Sequence, residues 1–277
     1  MAAARRMMKE NLPDVDLCME VLDARIPLSS RNPEIASLLN GKPSLLVLNK
    51  ADLASQTENE AWKRSFEKSG YAVVFADSKL GRGTAAIYRA CENLLKEKLE
   101  RKRAKGMEPV IRAMIVGIPN VGKSTLINSL CGAKKARAEN RPGVTKTKQW
   151  VKAGKGLELL DMPGVLWPKF EDARIGENLA MTGAIKDNIL QTDEIAVLLC
   201  RRLAEAEPVL LQNRYRLSAE DLALEPYELF LKIGKKRGLI VRGGEVDEER
   251  CAAMLLEEFR SAAIGRITLE KAADYGF

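Results

Sequence analysis

The sequence contains no histidine, and its five cysteines lie far apart along 277 residues. The absence of histidine excludes any mechanism that needs an imidazole base from this chain, together with metal sites built on histidine. No C-x-x-C pair is present, so neither a disulfide framework nor an all-cysteine zinc site is favoured. We expect the cysteines to be reduced residues in a core. They are Cys18, Cys91, Cys131, Cys200 and Cys251.

Long apolar runs are also lacking. The longest are only a handful of residues, such as 196–200, whereas a bilayer crossing needs about 20. Residues 1–9 lack the apolar core of a secretory signal. With 46% hydrophobic and 30% charged residues, the composition is that of a globular protein with one large domain or two. We expect no membrane span and a cytoplasmic location, with a mitochondrial matrix location as the weaker alternative.

Positive charge is concentrated in one stretch of the chain. The net charge is +7, but residues 96–155 alone carry +12, which leaves −5 for all other residues. Such a field attracts polyanions, either nucleotide phosphates or nucleic acid. For residues 96–105 a solvated linker helix is an equally good interpretation.

Apolar runs typical of buried strands alternate with helical patterns through the first two thirds of the chain. Predicted strands cover residues 17–22, 44–48, 71–75, 110–116 and 157–160. Predicted helices cover 58–68, 84–102 and 123–130, then 192–206, 219–224, 227–236 and 245–263. The alternation predicts an α/β fold with a doubly wound, mostly parallel sheet in residues 1–184, followed by a small, mostly helical domain in residues 185–277.

The strongest motif, G-I-P-N-V-G-K-S at residues 117–124, follows an apolar strand and opens a helix. This is the phosphate-binding loop G-x-x-x-x-G-K-S in the context that it requires. Its backbone amides surround phosphate, Lys123 reaches the β and γ phosphates, and Ser124 ligates Mg²⁺. The alternative is a glycine turn before a surface helix.

Two further segments suit the γ-phosphate side of such a site. D-M-P-G at residues 161–164 follows a strand, so Asp161 can hold the Mg²⁺ shell and the amide of Gly164 can sense the γ-phosphate. Alone, D-x-P-G is most often an ordinary turn. Between these motifs lies R-P-G-V-T at residues 141–145, where Thr145 is the best candidate to close over Mg²⁺.

A base-recognition motif, N-K-A-D at residues 49–52, lies at the carboxyl end of another predicted strand. The Asp52 carboxylate can accept hydrogen bonds from N1–H and the 2-amino group of guanine, whereas adenine would leave it unpaired. Asn49 is expected to tie this loop to the phosphate loop, and the Lys50 stem to lie along the base. Ser78 and Lys79, after the next strand, are candidates for a backbone amide that meets guanine O6.

The base-recognition motifs precede the phosphate motifs, which is the reverse of the usual GTPase order and indicates a circular permutation. Together with D-A-R-I-P at residues 23–27 and L-S-S-R-N-P at 28–33, this order resembles the ribosome biogenesis GTPase A family, also called YlqF or RbgA. The resemblance covers about residues 1–185. It implies Mg²⁺-dependent GTP hydrolysis coupled to a late step of large-subunit assembly, with the helical domain on ribosomal RNA.

The motifs and the resemblance together give a candidate site. Nucleotide ligands are expected to be Asn49, Lys50, Asp52, Ser78, Lys79, Asn120, Val121, Gly122, Lys123, Ser124, Thr125 and Gly164. Catalytic roles are expected for Lys123, Thr145 and Gly164, and Mg²⁺ ligation for Ser124, Thr145 and Asp161.

The resemblance also implies a K⁺ site at Asn120. Val165 stands where many GTPases place a water-orienting glutamine, and the chain begins one residue after a Pro-Gly-His segment that relatives carry. Slow intrinsic turnover, stimulated by the ribosome, is therefore expected.

Two other functions stay open at this stage. One is a GTP/GDP sensor that binds the ribosome with negligible hydrolysis, and the other is an ATP-using phosphate-loop enzyme. A monomer is expected. Candidate RNA contacts in the tail, whose net charge is −3, are Lys232, Lys235, Lys236, Arg237 and Arg242, with Arg214 and Arg216 beside Tyr215.

Overall fold

A computed structural model describes residues 2–39, 41–132, 149–154, 156–164, 166, 172–185, 187 and 191–276. Within them, the strands are β1 (Leu17–Asp23), β2 (Ser44–Asn49), β3 (Ala72–Ala76), β4 (Ile111–Val116), β5 (Gln149–Ala153) and β6 (Leu157–Asp161). The helices are α1 (Ala2–Asn11), α2 (Pro33–Leu38), α3 (Gln56–Lys68), α4 (Thr84–Leu94), α5 (Lys96–Ala104), α6 (Lys123–Cys131), α7 (Ala173–Met181), α8 (Thr192–Ala206), α9 (Pro208–Tyr215), α10 (Ala219–Leu222), α11 (Pro226–Lys236) and α12 (Glu248–Arg260).

The strands form one sheet in the order β3-β2-β1-β4-β6-β5 across the described residues. All neighbouring strands pair in parallel except β5, which runs antiparallel to β6. Because the parallel strands share a direction, the loops that follow β1, β2, β3, β4 and β6 emerge at one edge of the sheet. The four loops that carry the nucleotide motifs, after β2, β3, β4 and β6, therefore meet at this edge, although they are far apart in the sequence.

Helices cover both faces of the sheet, as a doubly wound fold requires. On β1, Leu17, Met19 and Val21 face one way and join a core that includes the inner sides of α4 and α6. On the other face, Trp62 and Phe66 of α3 belong to a second core. This two-residue alternation buries every residue of β1, so its apolar run carries no exposed face.

The last third of the chain is helical. Helices α8, α9, α11 and α12 share a separate apolar core, built from side chains such as Leu203, Phe230 and Leu255. After α12, residues 266–276, here called the C-terminal segment, return to the sheet-bearing part. There the amide of Ile267 donates to the carbonyl of Leu53 at 3.2 Å.

The predicted α/β fold class is confirmed, with shifts at the boundaries of elements. The predicted helix 84–102 is wrong as a single element, because the chain leaves helical geometry at Leu95 and forms α4 and α5. Ile87, Cys91, Leu95 and Leu99 are all buried at four-residue intervals. In a straight helix each such interval rotates the side chain about 40° further, so the break keeps Leu99 on the core.

The part of the chain that the structure describes has no helix both long and apolar enough to cross a membrane. Four of the five cysteines are buried, and Cys131 is half-buried; none of the five, all of which lie in the described residues, forms a disulfide.

Candidate functional site

The loop after β4 turns sharply into α6 and presents the predicted phosphate-binding backbone. Gly122, with φ 95°, immediately precedes the first residue of α6. A Cβ atom on Gly122 would lie 2.4 Å from the side-chain amide nitrogen of Asn49, so glycine permits the close approach of the loops after β4 and β2. The α6 N-terminus therefore faces the edge where β2 also ends, and its unpaired amides are suited to an anion.

Lys123 is buried at the start of α6. Its ammonium donates to the carbonyls of Gly117 and Ile118, at 3.0 and 3.1 Å. Burial lowers the pKa of Lys123 to about 8, against the opposing effect of the Asp161 charge. Gly164 lies directly beside the same ammonium. A Cβ atom on Gly164 would be 2.6 Å from Lys123 Nζ. The loops after β4 and β6 thus meet at one cation.

This buried amine predicts a pH dependence of nucleotide binding. A bound phosphate favours the charged form, so binding raises the pKa of Lys123 from its free value of about 8. GDP affinity is expected to be level below about pH 8 and to fall above it by up to about tenfold per pH unit. Calorimetry in two buffers of different ionisation enthalpy should detect proton uptake near pH 8.5, about half a unit above that pKa.

Lys123→Met is the control for this titration. It removes the amine, whereas the titration of the nucleotide itself appears equally in both proteins. Identical proton uptake by the two proteins would contradict the assignment.

Asn49 joins three loops. Its amide nitrogen donates to the carbonyl of Val121 at 2.7 Å, as the sequence predicts. Its carbonyl oxygen accepts from the amide and the hydroxyl of Ser78, at 3.2 and 2.6 Å. A single buried side chain therefore fixes the loop after β2 to the phosphate loop and to the loop after β3.

Lys50 is held by a carboxylate, that of Asp23, for which the motifs predicted no role. Its ammonium lies 2.9 Å from Asp23 Oδ2, and Arg25 donates to both Asp23 oxygens, at 2.9 and 2.7 Å. Burial alone would raise the pKa of Asp23, but Arg25 and Lys50 outweigh burial and hold that pKa well below its usual range. Asp23 is therefore a buried anion that fixes the ammonium of Lys50, a residue that lines the cleft.

The signal that identifies Asp23 was present in the sequence. It ends a central strand, at the same edge as the nucleotide motifs, and is paired in register with Asn49. A charged residue at that position of a buried strand needs a partner.

A cleft of about 930 Å³ connects the base-recognition and phosphate motifs. Its lining includes Asn49, Lys50, Asp52, Ser78, Lys79, Asn120, Gly122 and Thr125. The volume lies in the range typical of small-molecule sites. Asp52 and the start of α6 border the same cleft, which is large enough for a single molecule to reach both motifs.

The helical region supplies one wall of this cleft, which the sequence did not indicate. Arg260, at the end of α12, pairs with Asp187 through two contacts of 2.8 Å. It also donates to the carbonyls of Met181 and Ala180, each at 2.9 Å. Its own carbonyl accepts from Arg25 at 3.3 Å. Helix α12 is thereby connected to the Asp23 cluster beside the base-recognition loop.

The remaining predicted residues fall at several places. Ser124 and Thr125 lie in the first turn of α6, and Asp161 ends β6, where it is buried. Asn120 has φ 60°, and its amide donates to the carbonyl of Gly183 at 2.7 Å. Thr145, the rest of the 141–145 loop and Val165 lie outside the described residues.

The candidate RNA contacts in the tail are corrected in part. Tyr215 is buried, and its hydroxyl donates to Glu258 at 2.8 Å, so it cannot stack on a base. Arg214 and Arg237 both pair with Glu258 at 2.7 Å, and Lys232 pairs with Asp221 at 3.0 Å. Lys235, Lys236, Arg216 and Arg242 remain exposed.

Comparison with known proteins identifies the relatives of this chain. Residues 112–226 match the family described as 50S ribosome-binding GTPase. Ribosome biogenesis GTPase A of Bacillus licheniformis is 48% identical over 275 residues, which is 99% of this chain and 96% of the relative.

Two solved structures are similar over nearly the whole chain, each 25% identical. The GDP-bound structure of TM YlqF has a TM-score of 0.68, with 96% of this chain and 98% of the other covered. The GNP-bound YlqF from T. maritima has a TM-score of 0.64, with 98% of both covered. The identity to the Bacillus protein, its full-length coverage and the nucleotide cleft lead to one conclusion: the chain belongs to the ribosome biogenesis GTPase A family and is a GTPase.

Proposed function

We propose that this GTPase acts on the precursor of the large ribosomal subunit, with slow turnover alone and faster turnover on the ribosome. The observation that carries the proposal is the convergence of the loops after β2, β3 and β4 on Asn49, beside one cleft. The family name of the relatives supports a role in ribosome assembly, and the family matched by residues 112–226 is described as binding the 50S subunit. We further propose a cytoplasmic monomer.

In this proposal the base lies at the Asp52 end of the cleft and the phosphates at the α6 end. Asp52 accepts two hydrogen bonds from guanine, and Lys50, fixed by Asp23, packs along the ring. The loop at Ser78 and Lys79 faces O6. The phosphates accept hydrogen bonds from the backbone amides of residues 120–125 and from the ammonium of Lys123. The backbone amide of Gly164 donates to the γ-phosphate when GTP is bound.

The donor set at the phosphate end fits Mg²⁺. The Ser124 hydroxyl and the Asp161 carboxylate are hard oxygen ligands, and Mg²⁺ is commonly held by one or two such groups plus nucleotide phosphates. Among the described residues, no group of three or more Asp, Glu, Cys or His side chains is placed to hold a metal ion by itself. Thr145 is the proposed third ligand. The ion would neutralise charge that develops on the phosphate oxygens.

Water positioning explains the expected slow turnover. Val165 has no hydrogen-bonding side chain with which to orient a water molecule. The family pattern at Asn120 suggests that K⁺ supplies charge otherwise given by an arginine. In the structure the amide nitrogen of Asn120 is engaged by Gly183, which leaves its carbonyl oxygen as the atom for a cation.

The test is GTP turnover by the full chain alone, with purified large subunits and with small subunits, each in K⁺ and in Na⁺ buffer. We expect large subunits to raise turnover by about tenfold or more, small subunits to leave it unchanged, and K⁺ to exceed Na⁺. Equal rates with both subunits would contradict the large-subunit assignment. Equal rates in K⁺ and Na⁺ would remove the cation from the proposal.

A second candidate is a GTP/GDP sensor that binds the ribosome with negligible hydrolysis. Val165 favours it. Phosphate release that stays at the uncatalysed level with large subunits present, while nucleotide-dependent binding persists, would select this function. We also propose residues 1–184 and 185–277 as the two domains.

A further inference from the structure

Helix α5 is unusually polar for an element that packs on a sheet. Residues 96–105 contain six basic and two acidic side chains. In the helix itself only Leu99 is buried. An amphipathic helix normally buries a wide apolar stripe, so the composition of α5 is not explained by packing alone.

Two of the basic side chains anchor the helix. Lys98 pairs with Asp16, whose second oxygen accepts from the amide of Arg112 at 2.9 Å. Lys102 donates to the carbonyl of Val110 at 3.4 Å. Both contacts lie just before strands β1 and β4 begin. Helix α5 is therefore fixed at the edge of the sheet where the parallel strands start.

Four other basic side chains point to solvent. Lys96, Arg101 and Arg103 of α5 and Lys105, the residue that follows it, are exposed, and we call these four the α5 basic face. At about 100° of rotation per residue they lie on two flanks of the helix, with the exposed Glu97 and Glu100 between them. Arg101 pairs with Glu97 along the helix, but its side chain is 75% exposed. No ion pair within the described ranges engages Lys96, Arg103 or Lys105. An exposed pair such as Arg101 with Glu97 contributes little, so the whole face is available to a partner.

This face is separate from the nucleotide cleft. Strand β4 begins at Ile111, close after α5, and the phosphate loop follows Val116 at its other end. Six strand residues span about 20 Å. Removing charge from the α5 basic face is therefore expected to leave the basal GTPase site intact.

We propose that the α5 basic face is an RNA-binding surface of the GTPase domain, which contacts the phosphate backbone of large-subunit RNA. This inference rests on the proposed function. Helix α5 presents no aromatic side chain to stack on bases, and its cations stand along a convex helix rather than around a pocket. Such a surface suits sequence-independent phosphate contacts.

The helical domain is the weaker candidate for this electrostatic role. Residues 185–277 carry a net charge of −3, and Arg214, Arg237 and Lys232 are engaged by Glu258 and Asp221. Residues 96–105 carry +4 within ten positions. The two surfaces would together give the protein two points of attachment to the particle.

The test compares two triple variants of the full chain. The first is Lys96→Gln, Arg101→Gln and Arg103→Gln on α5. The matched control is Lys63→Gln, Arg64→Gln and Lys68→Gln on α3, which removes the same charge from another helix of the same domain. Binding to purified large-subunit precursors and to protein-free large-subunit RNA is measured over a series of KCl concentrations.

The α5 variant is expected to bind both probes on the order of tenfold more weakly, with a salt slope smaller by about 2. The control should stay within about twofold of wild type, and basal GTP turnover should be unchanged in both. Arg103→Gln alone should give about a third of the change in slope, which serves as a check if the triple variant folds poorly.

The outcomes separate the two proposals. Equal binding by wild type, α5 variant and control overturns the α5 basic face and leaves the proposed function intact. A loss on the particle without a loss on protein-free RNA assigns the face to a ribosomal protein and also overturns it. Absence of wild-type binding to the particle defeats the proposed function, and the free-RNA measurement then decides whether the face binds RNA.

Discussion

Replacing Asp52 by asparagine is expected to weaken GTP binding on the order of a thousandfold and to create affinity for xanthosine triphosphate. The carboxylate accepts two hydrogen bonds from guanine, and each hydrogen bond to a charged group contributes about 1.5–3 kcal/mol. The asparagine amide instead presents one donor and one acceptor, which match the 2-oxo group and N1–H of xanthine. Recognition should therefore be transferred from one purine to the other.

The measurement is equilibrium binding of fluorescent GDP, with GTP, XTP and ATP as competitors. Asp14→Asn is the matched control, because Asp14 is exposed and lies just before β1, at the opposite edge of the sheet. The control should bind GTP as wild type does. An Asp52→Asn protein that keeps its preference for GTP would show that the base lies elsewhere. A wild-type preference for ATP would favour an ATP-using enzyme.

Gly164→Ala is expected to lower the rate of GTP hydrolysis about a hundredfold, a loss typical of disturbing one group that stabilises the transition state. The new Cβ would lie 2.6 Å from the Lys123 ammonium and 3.1 Å from the backbone nitrogen of Pro119. The Lys123 ammonium, at the far end of its side chain, must shift away, and the backbone of the phosphate loop at Pro119 must give by a few tenths of an ångström. GDP affinity should fall less than tenfold, because the base contacts at Asp52 remain.

Gly154→Ala provides the matched control for this substitution. Among the described parts of the chain, its Cβ would meet the Tyr88 hydroxyl alone, at an ordinary 3.7 Å. Single-turnover hydrolysis and GDP binding should be measured for both variants, together with thermal unfolding. Wild-type hydrolysis by Gly164→Ala would mean that the segment after β6 moves away from Lys123 when nucleotide binds.

The fold class and the meeting of the motifs could be predicted because they depend on local signals. Continuous apolar runs mark buried parallel strands, and strand ends fix where loops emerge. The short elements were missed for equally local reasons. Helix α7 contains Gly176, which weakens a helical pattern, and helix α9 is only eight residues long. Strand β5 buries Val151 but exposes Trp150, so it lacks the continuous apolar run of the central strands.

The contribution of Arg260 could not be predicted, because it depends on long-range packing. Arg260 is 235 residues from Arg25 along the chain, yet its carbonyl accepts a hydrogen bond from that side chain. Nothing in the spacing of either residue records this contact. The break between α4 and α5 at Leu95 could not be predicted for the same reason, because it aligns Leu99 with a core formed by distant strands.

The C-terminal segment limits how the helical region can move. Glu270 accepts hydrogen bonds from the amides of Leu28 and Ser29, at 2.7 and 3.0 Å, and from the Asn178 side chain at 3.0 Å. Its backbone carbonyl accepts from the Trp62 indole at 2.8 Å.

The chain on either side of helices α8–α12 is therefore attached to the sheet-bearing part, through α7 before them and through Glu270 after them. The helices therefore do not hang on a single hinge. Any movement of them relative to the sheet must break, or carry along, the contacts of Glu270 and of Arg260, and Arg260 also borders the nucleotide cleft.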